Sequence, residues 1–405
     1  MLKLIKSQWT PLFASNFLGV FNDNLLKNSI IFISVSWLLP TWLSQSQLIS
    51  IVSASLILPY LILSPLAGKI AVIYSKKQVF LFFKLIEIPI MIIASVAFYY
   101  EWVLLAVFSV LLMGIQSSLY SPSKYGLIRD IGGSQRVAFG SGVFEAMAFL
   151  GILLGTIVAS YISDTYSPSI IITLFIGIAI FGYFTTRDIK AKELPEVKSK
   201  NSNLNPIKFL IESFRFANKH KSINLAIFGA SSFWLIGGIL QMNLVIHSKQ
   251  IYEVSNTLTG LVMAFAAVGI GLGSWFVGKI ANKYSFSKLI ILGLVAMTTI
   301  MLTLTFIKIN FYIYLLLILT FAFSGGFLQV PCLSLVQKAD LGRELGTMIA
   351  YLNMVTFIFV LFGTFLFWSI TLMTNENSFA VFGLISTICI VVLIVFLLKI
   401  KSTKL

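Results

Sequence analysis

Runs of about 20 apolar residues recur along this chain, and they constrain its fold more than any other feature. A helix of roughly 20 residues crosses a bilayer core about 30 Å thick, and 58% of the chain is hydrophobic whereas 11% is charged. Backbone groups in lipid must be satisfied within the segment, which favours helices. We predict an all-α integral membrane protein with twelve transmembrane helices, at residues 10–38, 46–67, 78–99, 102–121, 136–162, 168–186, 222–247, 257–278, 288–307, 311–336, 345–372 and 378–399.

The positions of Lys and Arg predict the orientation of these helices. Of the 29 basic residues, 25 fall on one predicted face, two (Lys249 and Lys308) fall on the other, and two lie within spans. The bias predicts that both termini are cytoplasmic. The net charge of +15 then reflects membrane topology, and no nucleic-acid partner is expected. Residues 10–38 are expected to be a span and not a cleaved signal peptide, because the run is long and contains Asp23 and Lys27.

An octapeptide occurs twice, which predicts two copies of one unit. Residues 68–75 read GKIAVIYS and residues 278–285 read GKIANKYS, identical at six of eight positions and 210 residues apart. Each copy stands where an apolar run ends and basic residues begin, so both are predicted to lie in short loops on the same membrane face. We therefore predict two pseudo-symmetric six-helix bundles, residues 1–186 and 222–405.

Residues 187–221 form the one long polar stretch and divide the two predicted bundles. The stretch holds nine Lys or Arg against four acidic residues. Its second part suggests a short amphipathic helix, capped by Asn205, that starts at Pro206. Ile207, Leu210, Phe214 and Ala217 would share its apolar face, and we expect a linker helix that rests on the membrane surface.

This arrangement resembles the major facilitator superfamily, whose members have six helices, a cytoplasmic linker and six helices. The octapeptides resemble that family's loop motif, G-x-x-x-D-x-x-G-R-K, and the resemblance implies a gating role for Gly68 and Gly278 and the basic residues after each copy. The family's acidic position is Val72 in the first copy and Asn282 in the second. The latch that this acid forms between halves in the family is therefore in question. The gating set comprises Gly68, Lys76, Lys77, Gly278 and Lys288.

Five charged residues fall within predicted spans, and each is expensive to place in a membrane, roughly 3 kcal/mol on insertion scales. All five lie in the first half of the chain: Asp23, Lys27, Lys84, Glu87 and Glu145. The second half offers uncharged groups that we expect to be buried, namely Gln241, Asn243, Gln329 and Asn353. Charges of both signs suit a zwitterionic or amphiphilic headgroup better than a simple ion.

Polar residues form a stripe along the first helix. At 100° per residue, Asn16, Asp23, Lys27 and Ser34 fall within about 20° of one line. Asn24 and Asn28 flank it. Asp23 and Lys27 are four residues apart and can pair. Such a stripe lines a water-filled cavity or packs against a neighbouring helix, and both alternatives stay open.

The partners of the other charges are also open. Lys84 and Glu87 can pair with each other or with Glu145, or they can reach the cytoplasmic surface along their own helix. Lys124 follows Pro122 at the end of the fourth helix. It could hold a phosphate as a point charge or serve as one more positive-inside lysine. Gly151 and Gly155, and Gly269 to Ser274, are predicted to be seams of close helix packing.

Three stretches together resemble the bacterial lysophospholipid transporter family. They are NFLGVFNDNLLKN at 16–28, YSPSKYGLI at 120–128 and GFLQVP at 326–331, followed by Gln337. The resemblance implies movement of lysophospholipids, notably lysophosphatidylethanolamine, to the inner leaflet of the bacterial inner membrane, where a partner acyltransferase restores the second chain. It implies candidate substrate-binding residues Asn16, Asp23, Asn24, Lys27, Lys84, Lys124, Glu145 and Gln241. Relatives carry charges where this chain has Gln241 and Thr356, so the charge network between halves differs.

Two functions follow as alternatives. The first is lysophospholipid flipping by a monomer, without cofactor or metal. The second is proton-coupled transport of a small soluble solute or export of a drug, with Asp23 or Glu145 as proton carrier. Enzyme activity is not expected, because His220 and His247 have no nucleophile or metal-ligand pattern around them.

Overall fold

The computed structural model describes residues 8–34, 37–43, 45–164, 167–195, 204–220 and 222–403. The predicted features at the extreme termini and at 196–203 of the linker lie outside the described residues. The described chain is helical, in twelve α-helices and one short 3-10 turn, and the predicted all-α class is confirmed. The helices are α1 Thr10–Ile33, α2 Gln45–Ile73, α3 Lys76–Tyr99, α4 Val103–Asp164, α5 Pro168–Arg187, α6 Pro206–Asn218, α7 Ile223–Tyr252, α8 Asn256–Ile280, α9 Phe286–Phe306, α10 Phe311–Lys338, α11 Leu345–Met373 and α12 Ser378–Thr403.

The helices differ from the predicted spans mainly at α4. This helix has 62 residues and merges two predicted spans across Gly133, whose backbone is not helical (φ 61°). At 1.5 Å per residue it is about three times as long as a bilayer core is thick. It is therefore too long for one crossing, and its two parts on either side of Gly133 account for two crossings. Arg129, Asp130 and Arg136 surround the break.

Ten of the described helices are long and apolar enough to cross a membrane. Counting α4 twice and adding α1, which has 24 residues, gives the twelve predicted crossings. The Asn and charged residues of α1 explain its lower hydropathy. The remaining helix, α6, is the predicted amphipathic linker helix.

The helices form two compact units that do not follow the order of the chain. Unit 1 comprises 1–133, 150–213 and 340–354, and unit 2 comprises 134–149, 214–339 and 355–405. The start of α11 thus belongs to unit 1, and a segment of α4 belongs to unit 2. The division into six-helix bundles at residues 1–186 and 222–405 stays a prediction.

Unit 1 is built around a core to which α1, α2, α3, α4 and α5 contribute. Leu26, Met91, Val110 and Phe175 are among its fully buried members. The predicted glycine seam on α4 is confirmed within this unit, because added Cβ atoms would lie 2.9 Å from Phe17 O at Gly151 and 2.6 Å from Phe21 O at Gly155. Only a residue without a side chain lets α4 approach α1 this closely.

Unit 2 is built around a core from α7, α9, α10 and α12. Ile239, Met301 and Phe382 are among its fully buried members. The predicted seam on α8 is also confirmed, since added Cβ atoms at Gly269 and Gly273 would meet the backbone of α10 at Leu319 and Phe323.

Candidate functional site

A buried ion pair lies inside unit 1. Lys84 Nζ is 2.5 Å from Glu87 Oε2, one turn away on α3, and both side chains are buried. Asn22 of α1 donates from Nδ2 to Glu87 Oε1 at 2.9 Å. Pairing of Lys84 with Glu87 is therefore confirmed. The alternative in which Lys84 reaches the surface is wrong, because its side chain is fully enclosed.

Two glycines make room for the Lys84 ammonium. A Cβ added at Gly19 of α1 would lie 3.2 Å from Lys84 Nζ, and one added at Gly182 of α5 would lie 3.1 Å from it. The ammonium therefore fills a space between α1 and α5 that an alanine would already make tight. Gly19 belongs to the stretch 16–28 noted in the sequence, but nothing in the sequence indicates that Gly19 and Gly182 meet the same lysine.

Asp23 contacts α4 and not Lys27. Ser117 Oγ donates to Asp23 Oδ2 at 3.2 Å, whereas Asp23 and Lys27, both described and half-buried, do not form an ion pair. The direct ion pair that was possible within α1 is not formed, because α4 supplies a hydrogen-bond donor that the sequence of α1 cannot reveal. Lys27 nevertheless stays within the electrostatic reach of Asp23. Asp23 also interacts electrostatically with Glu87, Lys84 and Lys124.

The other members of the α1 stripe divide between packing and exposure. Asn16 and Ser34 are buried. Asn24 donates to Val20 O of its own helix at 2.8 Å, and Asn28 donates to Thr156 Oγ1 at 2.8 Å. The stripe thus packs against a neighbouring helix at Asn28, while Asp23 and Lys27 stay partly accessible.

The end of the first part of α4 carries a group of aromatic and hydroxyl side chains around Lys124. Lys124 Nζ lies 5.3 Å from the Tyr120 ring and 5.7 Å from the Tyr125 ring, distances at which a cation interacts with an aromatic face. Phe80 stacks on Tyr120 with centroids 5.1 Å apart. A half-buried ammonium held over aromatic rings can attract an anionic group.

Sequence reasoning missed several polar residues of this cluster. Tyr60 of α2 and Asn353 of α11 both hydrogen-bond with Ser121, the latter from Nδ2 to Oγ at 2.9 Å. Tyr120 hydrogen-bonds with Ser117. The run QSSLYS at 116–121 was a visible signal, because three serines, a glutamine and a tyrosine in a span are unusually polar. Tyr60 gave no such signal. Asn353 was among the polar groups expected to be buried, and it is half-buried here.

The gating residues of the first octapeptide lie in a charged cluster, also in unit 1. Buried Lys76 pairs with Asp130 at 2.5 Å. Glu193, from the segment after α5, accepts from the backbone N of Lys76 at 2.5 Å and of Lys77 at 3.0 Å, and from Ser75 Oγ at 2.9 Å. Burial raises the pKa of the Asp130 carboxyl, against the attraction of Lys76.

An arginine also binds this loop. Arg343, just before α11, donates from Nη1 to Val72 O and Tyr74 O at 3.0 Å each, and from Nη2 to Leu194 O. An added Cβ at Gly68 would be 3.1 Å from Ala350 Cβ. Position 72 lacks the acidic residue of the family motif. Other charged side chains bind this loop instead, because Glu193 supplies a carboxylate and Arg343 supplies a cation.

The second octapeptide lies in unit 2. An added Cβ at Gly278 would be 3.1 Å from Ala138 O and 3.2 Å from Gly142 Cα. Lys288 is exposed and donates its backbone N to Ser285 Oγ at 3.4 Å. The glycine packs as its counterpart does, and the basic residue after it faces outward.

The two remaining predicted site residues also belong to unit 2. Glu145 is buried. Within unit 1, the partner of Lys84 is Glu87. Gln241 is exposed, although its neighbours Leu240 and Leu244 are buried. The expectation of a buried Gln241 is wrong, because α7 turns it about 100° away from the buried face.

Comparison with known proteins identifies the family. A sequence profile of the Major Facilitator Superfamily matches residues 12–364. The lysophospholipid transporter LplT of Photorhabdus laumondii is 25% identical over 340 residues, covering 82% of this chain and 79% of that protein. LplT of Pectobacterium carotovorum is 24% identical over 361 residues, covering 87% and 83%.

Solved structures share the fold. The human organic anion transporter MFSD10 matches with a TM-score of 0.77 at 14% identity, over 96% of this chain and 98% of that one. The transporter FucP in the outward conformation matches with a TM-score of 0.75 at 13% identity, over 96% and 97%. With the apolar helices and the profile match over nearly the whole chain, these findings show that the chain is a multi-pass membrane transporter that belongs to the Major Facilitator Superfamily.

Proposed function

We propose that this chain is a lysophospholipid transporter that moves lysophospholipids to the inner leaflet of a bacterial inner membrane by alternating access. The observation that carries the proposal is the mixed-charge cluster of unit 1. It brings Asp23 within electrostatic reach of Lys84, Glu87 and Lys124. The names of the bacterial relatives support the same substrate class.

The chemistry of the cluster matches a zwitterionic headgroup. A lysophosphatidylethanolamine headgroup has a phosphate and an ammonium. Lys124, held over Tyr120 and Tyr125, offers a cation for the phosphate. Asp23, half-buried and hydrogen-bonded by Ser117, offers a carboxylate for the ammonium. Lys84 and Glu87 neutralise each other, and Glu87 accepts a hydrogen bond from Asn22, the neighbour of Asp23 in α1.

Further parts of the proposal concern the cell. Both termini are cytoplasmic, the transporter acts as a monomer, and an acyltransferase consumes the delivered lysolipid. The excess of Lys and Arg on one predicted face supports the orientation.

Reconstitution tests the proposal directly. Purified protein in liposomes, loaded with fluorescent lysophosphatidylethanolamine in the outer leaflet, should make part of the probe inaccessible to extraction by albumin. Asp23→Asn and Lys124→Gln should each reduce the rate at least tenfold. Asp188→Asn, a change at an exposed residue, is the matched control. Unchanged leaflet distribution with wild-type protein, while a soluble solute is transported, would refute the lipid substrate.

Proton-coupled transport of a small solute is the second candidate. A half-buried carboxylate such as Asp23 can carry a proton, which favours it. Transport should then depend on pH and be abolished by an uncoupler. Lipid movement that ignores the uncoupler and is lost in Asp23→Asn would reject proton coupling and leave the headgroup role.

A further inference from the structure

Helix α6 packs on the protein with one narrow face. Asn205 Oδ1 accepts from the backbone N of Ile207 at 3.0 Å and of Lys208 at 3.1 Å and so caps its first turn. Phe209, Ser213 and Ala217, four residues apart, are buried. This face differs from the one that the sequence predicted, because Ala217 belongs to the packed side and not to the free apolar side.

A second apolar face of α6 is left uncovered. Ile207 is 69% exposed, Ile211 45% and Phe214 49%. Their spacing of four and three residues places them within about 60° on one side of the helix. Leu204, two residues before the helix begins, is also exposed (52%). Large apolar side chains exposed in one stripe form a patch, and such patches mark protein or membrane contacts.

Basic residues border this stripe. Lys208, Arg215 and Lys219 are exposed and lie about 80° to 120° around the helix from Ile207. Glu212 is the acidic side chain on the same side of α6. An apolar stripe bordered by cations complements a surface of acyl chains and anionic headgroups.

The stripe is held near a membrane-spanning helix. Only four residues separate the end of α6 at Asn218 from the start of α7 at Ile223. Asn224 Nδ2 donates to Phe214 O at 3.1 Å and to Asn218 Oδ1 at 2.7 Å. Since α7 is apolar enough to span the bilayer, the C-terminal end of the stripe is fixed at the edge of the membrane.

We infer that this face of α6 binds the anionic surface of the leaflet that it borders. Leu204, Ile207, Ile211 and Phe214 insert among the lipids, and Lys208, Arg215 and Lys219 bind anionic headgroups. The inference does not depend on the transported substrate.

Site-specific probes test it in the full-length protein. An environment-sensitive fluorophore is attached at Ile211→Cys, and at Glu212→Cys as the matched position on the polar side. Cys332 and Cys389 are fully buried, and labelling of the wild-type protein measures their background. The protein is placed, one copy per nanodisc, in phosphatidylcholine alone or in a mixture with phosphatidylglycerol.

In the anionic discs, the probe at 211 should be quenched several-fold more strongly by spin-labelled lipid than the probe at 212. The difference in quenching between the two probes should shrink in discs of phosphatidylcholine alone and in a triple variant with Lys208→Gln, Arg215→Gln and Lys219→Gln. It should also shrink in about 1 M salt, where the Debye screening length is about 3 Å. Equal quenching at 211 and 212 would overturn the inference. So would quenching at 211 that ignores lipid charge, or protection that appears only with two copies per disc, which would indicate contact between copies.

Discussion

The two copies of the octapeptide behave alike in packing and differently in electrostatics. In unit 1, Gly68 lies against the start of α11, and in unit 2, Gly278 lies against the segment of α4 around Gly142. Ser75 accepts from Gln78 N at 3.3 Å and Ser285 accepts from Lys288 N at 3.4 Å, so both copies end in a helix N-cap. Close glycine packing and a serine cap explain why these residues recur.

The charged groups around the two copies differ. At the first copy, Lys76 pairs with Asp130, and Glu193 and Arg343 bind the loop.

At the second copy, Lys279 lies 3.5 Å from the Trp275 ring and Lys338 lies 4.5 Å from the Phe286 ring. Arg136, two residues before the Ala138 that Gly278 contacts, is exposed.

The interiors of the units differ in the same sense. Unit 1 buries the Lys84–Glu87 pair. Unit 2 buries Glu145 and also His247, which is hydrogen-bonded to Ser378 Oγ at 2.9 Å and enclosed by aromatic rings. The repeat thus specifies the frame, and the buried polar groups differ between the two units.

The largest difference in stability between changes in the two units is expected at the buried Lys84–Glu87 pair. Lys84→Met leaves Glu87 buried without its cation and should cost about 3–5 kcal/mol of unfolding free energy. His247→Phe in unit 2 loses one hydrogen bond and should cost about 1 kcal/mol. Thermal unfolding in one detergent measures both. Lys84→Met combined with Glu87→Gln should recover part of the loss, and equal losses for Lys84→Met and His247→Phe would break the contrast.

The glycine contacts should respond equally in both units. Gly346→Ala places a Cβ 2.7 Å from Ala71 Cβ, and Gly142→Ala places one 2.8 Å from Gly278 Cα. Each should cost about 1–3 kcal/mol of unfolding free energy by overpacking. The two substitutions should lower the unfolding midpoint by amounts similar to each other. Gly260→Ala has open space around it and serves as the control. A loss at one glycine only would show that the frame is not symmetric.

A smaller difference is expected between two arginines. Arg343→Gln removes hydrogen bonds to Val72 O, Tyr74 O and Leu194 O and should cost about 1.5 kcal/mol. Arg136→Gln should stay within about 0.5 kcal/mol, as is usual for exposed positions. Proteolysis rates of the linker in detergent should rise for Arg343→Gln alone. A similar rise for Arg136→Gln would place an equivalent fixing at the second copy.

The smallest effects are expected at the repeated serines. Ser75→Ala should cost about 1 kcal/mol, because it loses a helix cap and the contact with Glu193. Ser285→Ala should cost about half of that. Unfolding midpoints compare the two, with Ser53→Ala, a half-buried serine within α2, as a helical control. A larger cost at Ser285 would contradict the ordering of the two copies.

The fold was largely predictable because it depends on local patterns. Apolar runs, the glycine seams at Gly151 and Gly269, and the Asn205 cap can each be read within a few residues. The α4 break was predictable only as a gap between the spans 102–121 and 136–162. It lies at the pair Gly132 and Gly133, and glycine disfavours helix. The site was predictable in part: Lys84 and Glu87 lie one turn apart on one helix, so their pairing follows from helical geometry.

The sequence by itself determined a helical membrane protein with a repeated loop. It also determined that the charged residues deep within the membrane spans lie in the first half of the chain. Tertiary structure alone decided that Asp23 binds Ser117 and not Lys27, that Glu193 and Arg343 hold the first loop, and that Gln241 faces outward. The reason is physical. Hydropathy and helical periodicity act along the chain, whereas a buried polar group takes whichever partner the packed neighbouring helices bring within hydrogen-bonding distance.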